Sequence, residues 1–225
     1  MDDKFDSRGR SLASVEQEQR NREKDLVLMT KRIKSIIDVA KELGNLTNQK
    51  FFLIHINKLC QVDEEKFLPC ELALLQFNLQ DGILHTFHTF VAPPADEIPL
   101  GFGYEIQKNA DDTHGLTMDD DPMLHEKSSG YSEIARKIMA KINPGGINEA
   151  IWPIFTLEDD EEMVKFVLDD LFAWAGERKP QEFKVYHVHL LLYYLSQLLT
   201  PPDRIKSEVL SADQIASDIY SYTVG

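Results

Sequence analysis

Four short stretches carry the side chains able to do chemistry, and each lies in or beside an apolar run. They are His55 and Asn57 in "FFLIHIN", Glu71 in "LPCELALL", His88 in "LHTFHTFV" and His114 in "DDTHGL". Metal-assisted phosphoryl transfer requires clustered carboxylates that hold divalent ions a few ångströms apart. His55 and Asn57 do not meet that need, because neutral imidazole prefers softer metals and an amide carries no charge. Glu71 is a lone carboxylate in a nearly apolar strand. It must be paired or bound to metal there, or else face outward at the strand end. Histidine titrates near neutrality, so two of them can move protons to and from a ribose 2′-hydroxyl. His88 and His114 are the candidate pair. The alternative is a packed or surface histidine at 88 and a backbone-capping loop residue at 114.

Composition narrows the classes. The chain has 225 residues, 43% hydrophobic and 28% charged, enough for one substantial core with some excess. Against 24 Lys and Arg stand 38 Asp and Glu, a formal charge of -14. Such a balance opposes broad duplex-DNA binding, which needs a positive field. The acids concentrate in "EDDEE" and "DDD", whereas Arg136, Lys137 and Lys141 make one modest basic face on a predicted helix. Cys60 and Cys70 are the only cysteines, too few for a secreted disulfide framework or a four-cysteine zinc site. The sequence has neither a long apolar span nor an apolar leader, so an intracellular chain outside the membrane is expected.

The elements that must position these residues follow from periodicity. Residues 1–22 read as a disordered linker. Helical spacing of Leu26, Met29, Ile33, Ile36, Ile37, Ala40 and Leu43 predicts a helix over 23–43, leading into a domain that runs to 225. "KFFLIHI", "CELALLQFNL" and "ILHTFHTFVA" predict three strands, the last two joined by a hairpin at "QDG". Tyr131 to Ile142 predicts a helix, "IWPIF" a short strand, and Thr156 with Glu158 and Asp159 the start of another helix. "FKVYHV" predicts a strand running into a helix, and Ser211 with Gln214 the cap of a last one. "GFGYE" lacks the strand-to-helix setting of a nucleotide loop. The expected class is α/β, a mixed sheet flanked by helices.

That strand order is similar to the DEDD exonucleases of the ribonuclease H-like superfamily, whose first strand carries an Asp-x-Glu pair. His55 and Asn57 stand at that pair, and His187, His189 and Tyr193 stand near the expected later acid. More specifically, "FLPCELALLQFNLQDGILHTFHTFVAPPADEIPLGFGYEIQKNADDTHGL", "IWPIFT" and "VYHVHLLLYYL" together resemble the Maelstrom domain over about residues 48 to 225. The resemblance implies a ribonuclease H-like fold without the catalytic acids. In their place the family has Glu, His, His, Cys, His and Cys, the first three matched here by Glu71, His88 and His114. Glu71 would be a zinc ligand, with its Cys and His partners after a segment like "IYSYTVG", so zinc is expected only in a longer chain. Family members often carry an HMG box ahead of this domain, and "DSRGRSLASVEQEQRNREKD" resembles the linker after it. The chain thus reads as an internal piece with an incomplete C-terminal end.

The same resemblance implies a germline protein of the piRNA pathway that silences transposons in meiotic and developmental settings. It implies piRNA-pathway partners and residence in nucleus, cytoplasm and perinuclear nuage. Single-stranded RNA is the expected ligand, with Arg136, Lys137 and Lys141 as contacts. Two alternatives stay open: a protein-binding scaffold on a degenerate nuclease fold, and a weak, metal-independent endonuclease of single-stranded RNA using His88 and His114.

Overall fold

The computed structural model describes residues 11–116, 130–144, 151–177, 179–180 and 183–199. The chain divides into two compact units, one of residues 1–46 with 189–225 and one of residues 47–188. None of the described helices is long and apolar enough to cross a membrane.

In the first unit, α1 spans Leu12–Glu42 and buries Met29, Ile33, Ile37 and Ala40, one stripe at helical spacing. It starts eleven residues earlier than the sequence predicts, inside the expected linker. Ser11 supplies the reason: its side chain accepts the Ser14 N–H at 3.1 Å and caps the helix. The mostly polar residues 12–22 then continue the helix without needing a core. The cap expected at Ser211 lies outside the described residues.

The second unit is built on a five-stranded sheet in the order β3-β2-β1-β4-β5. Its strands are β1 (Phe51–Gln61), β2 (Phe67–Asn78), β3 (Gly82–Phe90), β4 (Ile154–Thr156) and β5 (Val185–His187). β2 pairs antiparallel with β1 and β3, whereas β1, β4 and β5 run parallel. This mixed sheet with packed helices is the α/β class that the sequence predicts. The predicted turn after β2 holds through Asn78, whose side-chain oxygen accepts the Asp81 N–H at 2.6 Å. Gly82 follows at φ +73°, a value that a side chain would resist.

Alternation along the strands separates two faces. Phe52, Ile54 and Ile56 of β1, with Leu72 and Leu74 of β2, form one core with α3 (Tyr131–Ile142) and α4 (Glu161–Trp174). From α3 come Ile134, Ile138 and Ile142, and from α4 Val164, Val167, Leu168 and Leu171, all buried. Each such side chain contributes about 2 kcal/mol by leaving water. Phe166 and Trp174 of α4 are only partly buried. α4 begins at Glu161 behind Asp160 and not at Thr156, because Thr156 stays in β4 with its side chain buried. A smaller core of Leu59, Cys60, Leu68, Cys70, Ile106 and Leu116 fills the far end of β1 under α2 (Gly103–Asn109). The last described helix, α5 (Val188–Leu199), follows β5 directly, as the sequence predicts.

Candidate functional site

The opposite face of the sheet carries the polar residues. Asn57 and Glu71 are direct cross-strand partners, while His55 and His88 both sit beside Ala73, from β1 and β3 respectively. The small Ala73 leaves space between the two imidazoles. Asn57 Nδ2 donates to Glu71 Oε2 at 2.6 Å, and His88 Nε2 lies 2.5 Å from Glu71 Oε1. His55 Nε2 lies 3.2 Å from Asn57 Oδ1, and His55 Nδ1 is 3.6 Å from Asp160 Oδ2. One polar chain therefore runs from Asp160 through His55, Asn57 and Glu71 to His88, crossing three strands. It includes His55 and Asn57, the residues that the resemblance sets at the acid pair of the first strand.

Electrostatics fits this chain. Burial alone would push the Glu71 carboxyl up, but the hydrogen bonds from His88 and Asn57 outweigh it and hold it below the ordinary range. A lone carboxylate in an apolar strand is thus explained by pairing, one of the two options open from sequence. The Asp160 carboxylate raises the His55 pKa against the opposing effect of burial. Asp160 belongs to the acidic "EDDEE" run, where its role as a histidine partner has no local signature. β4 ends beside β1, and the chain then turns back toward α4, which is what brings Asp160 to His55.

Register shifts between Asn57 and Lys58, and between Lys58 and Cys60, break the β1–β2 ladder at this point. Such bulges bend a strand and re-aim its side chains. Here a cleft of about 400 Å³ opens among Asn57, Lys58, Gln61, Asn109, Thr113 and Asp160. Its rim also includes Asp159 and Glu162, so acids outnumber the single lysine on its walls.

His114 does not join His88 at one reacting point. Its Nε2 faces the Lys58 carbonyl at 3.1 Å, and its Nδ1 accepts the Leu116 N–H at 3.0 Å. Both ring nitrogens are engaged with backbone, in the neutral tautomer protonated on Nε2. This is the loop-capping alternative for His114. His88 differs: its side chain is 51% exposed, and its ring packs edge-on to Phe90 at 5.2 Å.

Zinc was implied at Glu71 by resemblance. Among the described residues both Glu71 carboxylate oxygens are met, by Asn57 and His88, and Cys60 and Cys70 are buried. Burial pushes the Cys60 thiol up to about 11 and raises Cys70 as well. Cys70 Sγ donates to the Asn57 carbonyl at 3.3 Å.

On the helix-covered side, Arg136 and Lys137 are exposed and Lys141 is half-buried. Lys137 Nζ lies 5.1 Å from the centre of the Phe87 ring and 2.5 Å from Glu133 Oε1. Near the acids of the α4 start, His187 is buried and its Nε2 lies 2.7 Å from Glu161 Oε2. Burial opposes ionisation of Glu161, yet His187 and Lys165 hold its carboxyl down at about 2. The sequence offered His187 only as a missing acid, and its actual carboxylate partner arrives from another element.

A family model described as "Maelstrom: piRNA pathway germ-plasm component" matches residues 58–225. A "Protein maelstrom homolog" of Culex quinquefasciatus is 22% identical over 228 residues, covering 99% of this chain and 43% of that protein. Its namesake in Homo sapiens is 33% identical over 142 residues, 63% of this chain and 31% of that protein. The chain thus spans less than half the length of these curated relatives. Solved structures similar in fold include exonuclease I, at TM-score 0.47 and 11% identity over 67% of this chain and 30% of that one. Cell-death related nuclease 4 aligns at TM-score 0.45 and 9% identity over 76% of this chain and 55% of that one. By the match over residues 58–225, the chain belongs to the Maelstrom family.

Proposed function

We propose that this domain binds single-stranded RNA within a piRNA-pathway protein that silences transposons in germ cells. Its setting is the nucleus, the cytoplasm and the perinuclear nuage, among other piRNA-pathway proteins. The observation that supports RNA binding is the junction of α3 and β3, where Lys137 covers Phe87 beside exposed Arg136. Single strands are held by cations on phosphates and by aromatic rings under unstacked bases. A charge of -14 keeps affinity modest and disfavours duplex DNA. Filter-binding titrations at several salt concentrations test the reading, with Arg136, Lys137 and Lys141 all changed to Ala. Each lost phosphate contact should flatten the slope of log affinity against log salt by roughly 0.7. Equal affinity and slope in both proteins would remove this face. No binding at low salt would favour an acidic protein-binding scaffold.

A second reading, slow RNA cleavage without metal, is supported by the 2.5 Å contact of His88 with Glu71. The carboxylate orients the exposed imidazole, which can accept a proton from a 2′-hydroxyl. His114, tied to backbone at both nitrogens, would act as a positioning residue for the Lys58 segment.

A further inference from the structure

We propose that His55 is the general acid of single-stranded RNA cleavage, a role that rests on the metal-free reading above and pairs His55 with His88 across Ala73. It supplies the proton donor that His114, engaged with backbone at both ring nitrogens, does not. His55 and His88 are each the direct partner of Ala73, one from β1 and one from β3. Neighbouring strands lie about 4.8 Å apart, so the two histidines are separated by roughly 10 Å at their Cα atoms. Their side chains are 57% and 51% exposed. Both rings lean toward the Asn57–Glu71 row, one ring against each member. The middle strand places a methyl group between them, and the gap above it suits one phosphodiester group.

The hydrogen bonds fix where the protons sit. Glu71 is ionised, so both of its oxygens accept. Asn57 therefore turns its Nδ2 to Glu71, and its Oδ1 faces His55 Nε2 at 3.2 Å. An amide oxygen only accepts, so His55 Nε2 carries a proton. Across the ring, the Asp160 carboxylate lies 3.6 Å from Nδ1 and favours a proton there as well. Two acceptors on one imidazole select the imidazolium, and Asp160 raises the His55 pKa accordingly. Glu71, beyond Asn57, acts in the same direction, while Asp159, Glu162 and Lys58 line the adjoining cleft. His88 is the complementary case. Its Nε2 donates to Glu71 at 2.5 Å, which leaves the Nδ1 lone pair to accept a proton.

In the reaction, the ribose 2′-oxygen bonds to phosphorus as its proton passes to His88 Nδ1. The bond from phosphorus to the 5′-oxygen breaks, and the His55 Nε2 proton moves from the Asn57 oxygen to that leaving oxygen. The developing alkoxide is a stronger acceptor than a neutral amide, so the proton follows the breaking bond. The products are a 2′,3′-cyclic phosphate and a 5′-hydroxyl, and exchange with solvent returns both rings to their starting states. Asp160 is a positioning residue that orients the imidazolium.

A 2′-O-methyl RNA strand with one ribonucleotide, and the same strand with sulfur replacing the 5′-oxygen of the scissile bond, test this role. A thiolate leaves without protonation, so the acid becomes dispensable. The wild-type chain should cut the oxygen strand and leave the cyclic phosphate. His55→Ala should be slower on that strand by about 100-fold, yet close to wild type on the sulfur strand. Asp160→Asn should show the same rescue from a smaller loss. His88→Ala should stay slow on both strands, since either one needs the proton acceptor. Melting and filter binding of His55→Ala separate lost chemistry from lost folding. A folded His55→Ala that equals wild type on the oxygen strand, or is slow on both strands alike, would overturn this role and leave the cleavage reading in place. A wild-type chain that binds the strands and cuts neither would remove the cleavage reading, and the role of His55 with it.

Discussion

Asn57 and Glu71 face each other across β1 and β2, and the amide donates to the carboxylate at 2.6 Å. That asparagine adds to His88 in holding the neighbouring carboxyl below the ordinary range. With His88 on the other oxygen, the Glu71 carboxylate is oriented from two sides.

Replacing Asn57 by Ala should therefore destabilise the fold. The loss leaves a partly buried carboxylate acceptor without one partner, about 1–2 kcal/mol because Glu71 keeps some solvent. Urea unfolding at neutral pH measures this. An unchanged midpoint would mean that water replaces the amide without cost.

Exonuclease activity stimulated by magnesium or manganese should be absent. The resemblance sets His55 and Asn57 where two carboxylates would be needed, and His55 is already engaged with Asp160 at 3.6 Å. Digestion of an end-labelled single strand, with either ion and with chelator, checks this. End-directed degradation that the chelator abolishes would overturn it.

His88 and His114 should separate in their effects. His114→Ala orphans the Leu116 N–H and releases the Lys58 carbonyl, so thermal stability should fall by about 1–3 kcal/mol. His88→Ala removes a half-exposed ring and should cost less stability. If the domain cleaves RNA, it should slow cleavage while leaving binding intact. Melting curves and single-turnover cleavage of the two variants, measured side by side, distinguish them.

Acid stability should depend on Glu161. Its folded pKa, about 2, lies below the ordinary 4.5, so its contribution is fully present above the ordinary value. That contribution is lost as pH falls from 4.5 toward about 2. Glu161→Gln should lower stability at neutral pH and flatten the acid limb of the stability profile. Denaturant midpoints measured across that range give the slope, and an unaltered slope would show that His187 and Lys165 do not hold the carboxylate.

Much of this fold is legible in the chain itself. Period-two alternation in "FFLIHIN" and "LPCELALL" decides which residues share a face, and the Asp-Gly turn decides that β2 and β3 form a hairpin. Spacing of three between His85 and His88 already puts them on opposite faces of a regular strand. The family follows from the sequence too, since ordered motifs survive at low identity. Helix starts were less legible: α1 begins at Leu12 through a local serine cap, and α4 is delayed to Glu161 by the pairing of β4. Only tertiary structure decides which group each polar residue meets. Asp160 reaches His55 because the chain turns back after a parallel strand, Glu161 meets His187 across 26 positions, and His114 closes on Lys58 across 56. Periodicity encodes the face a side chain takes, because that depends on neighbours in the chain. Partners depend on register and crossover, which arise from packing between distant segments and leave no pattern in any one of them.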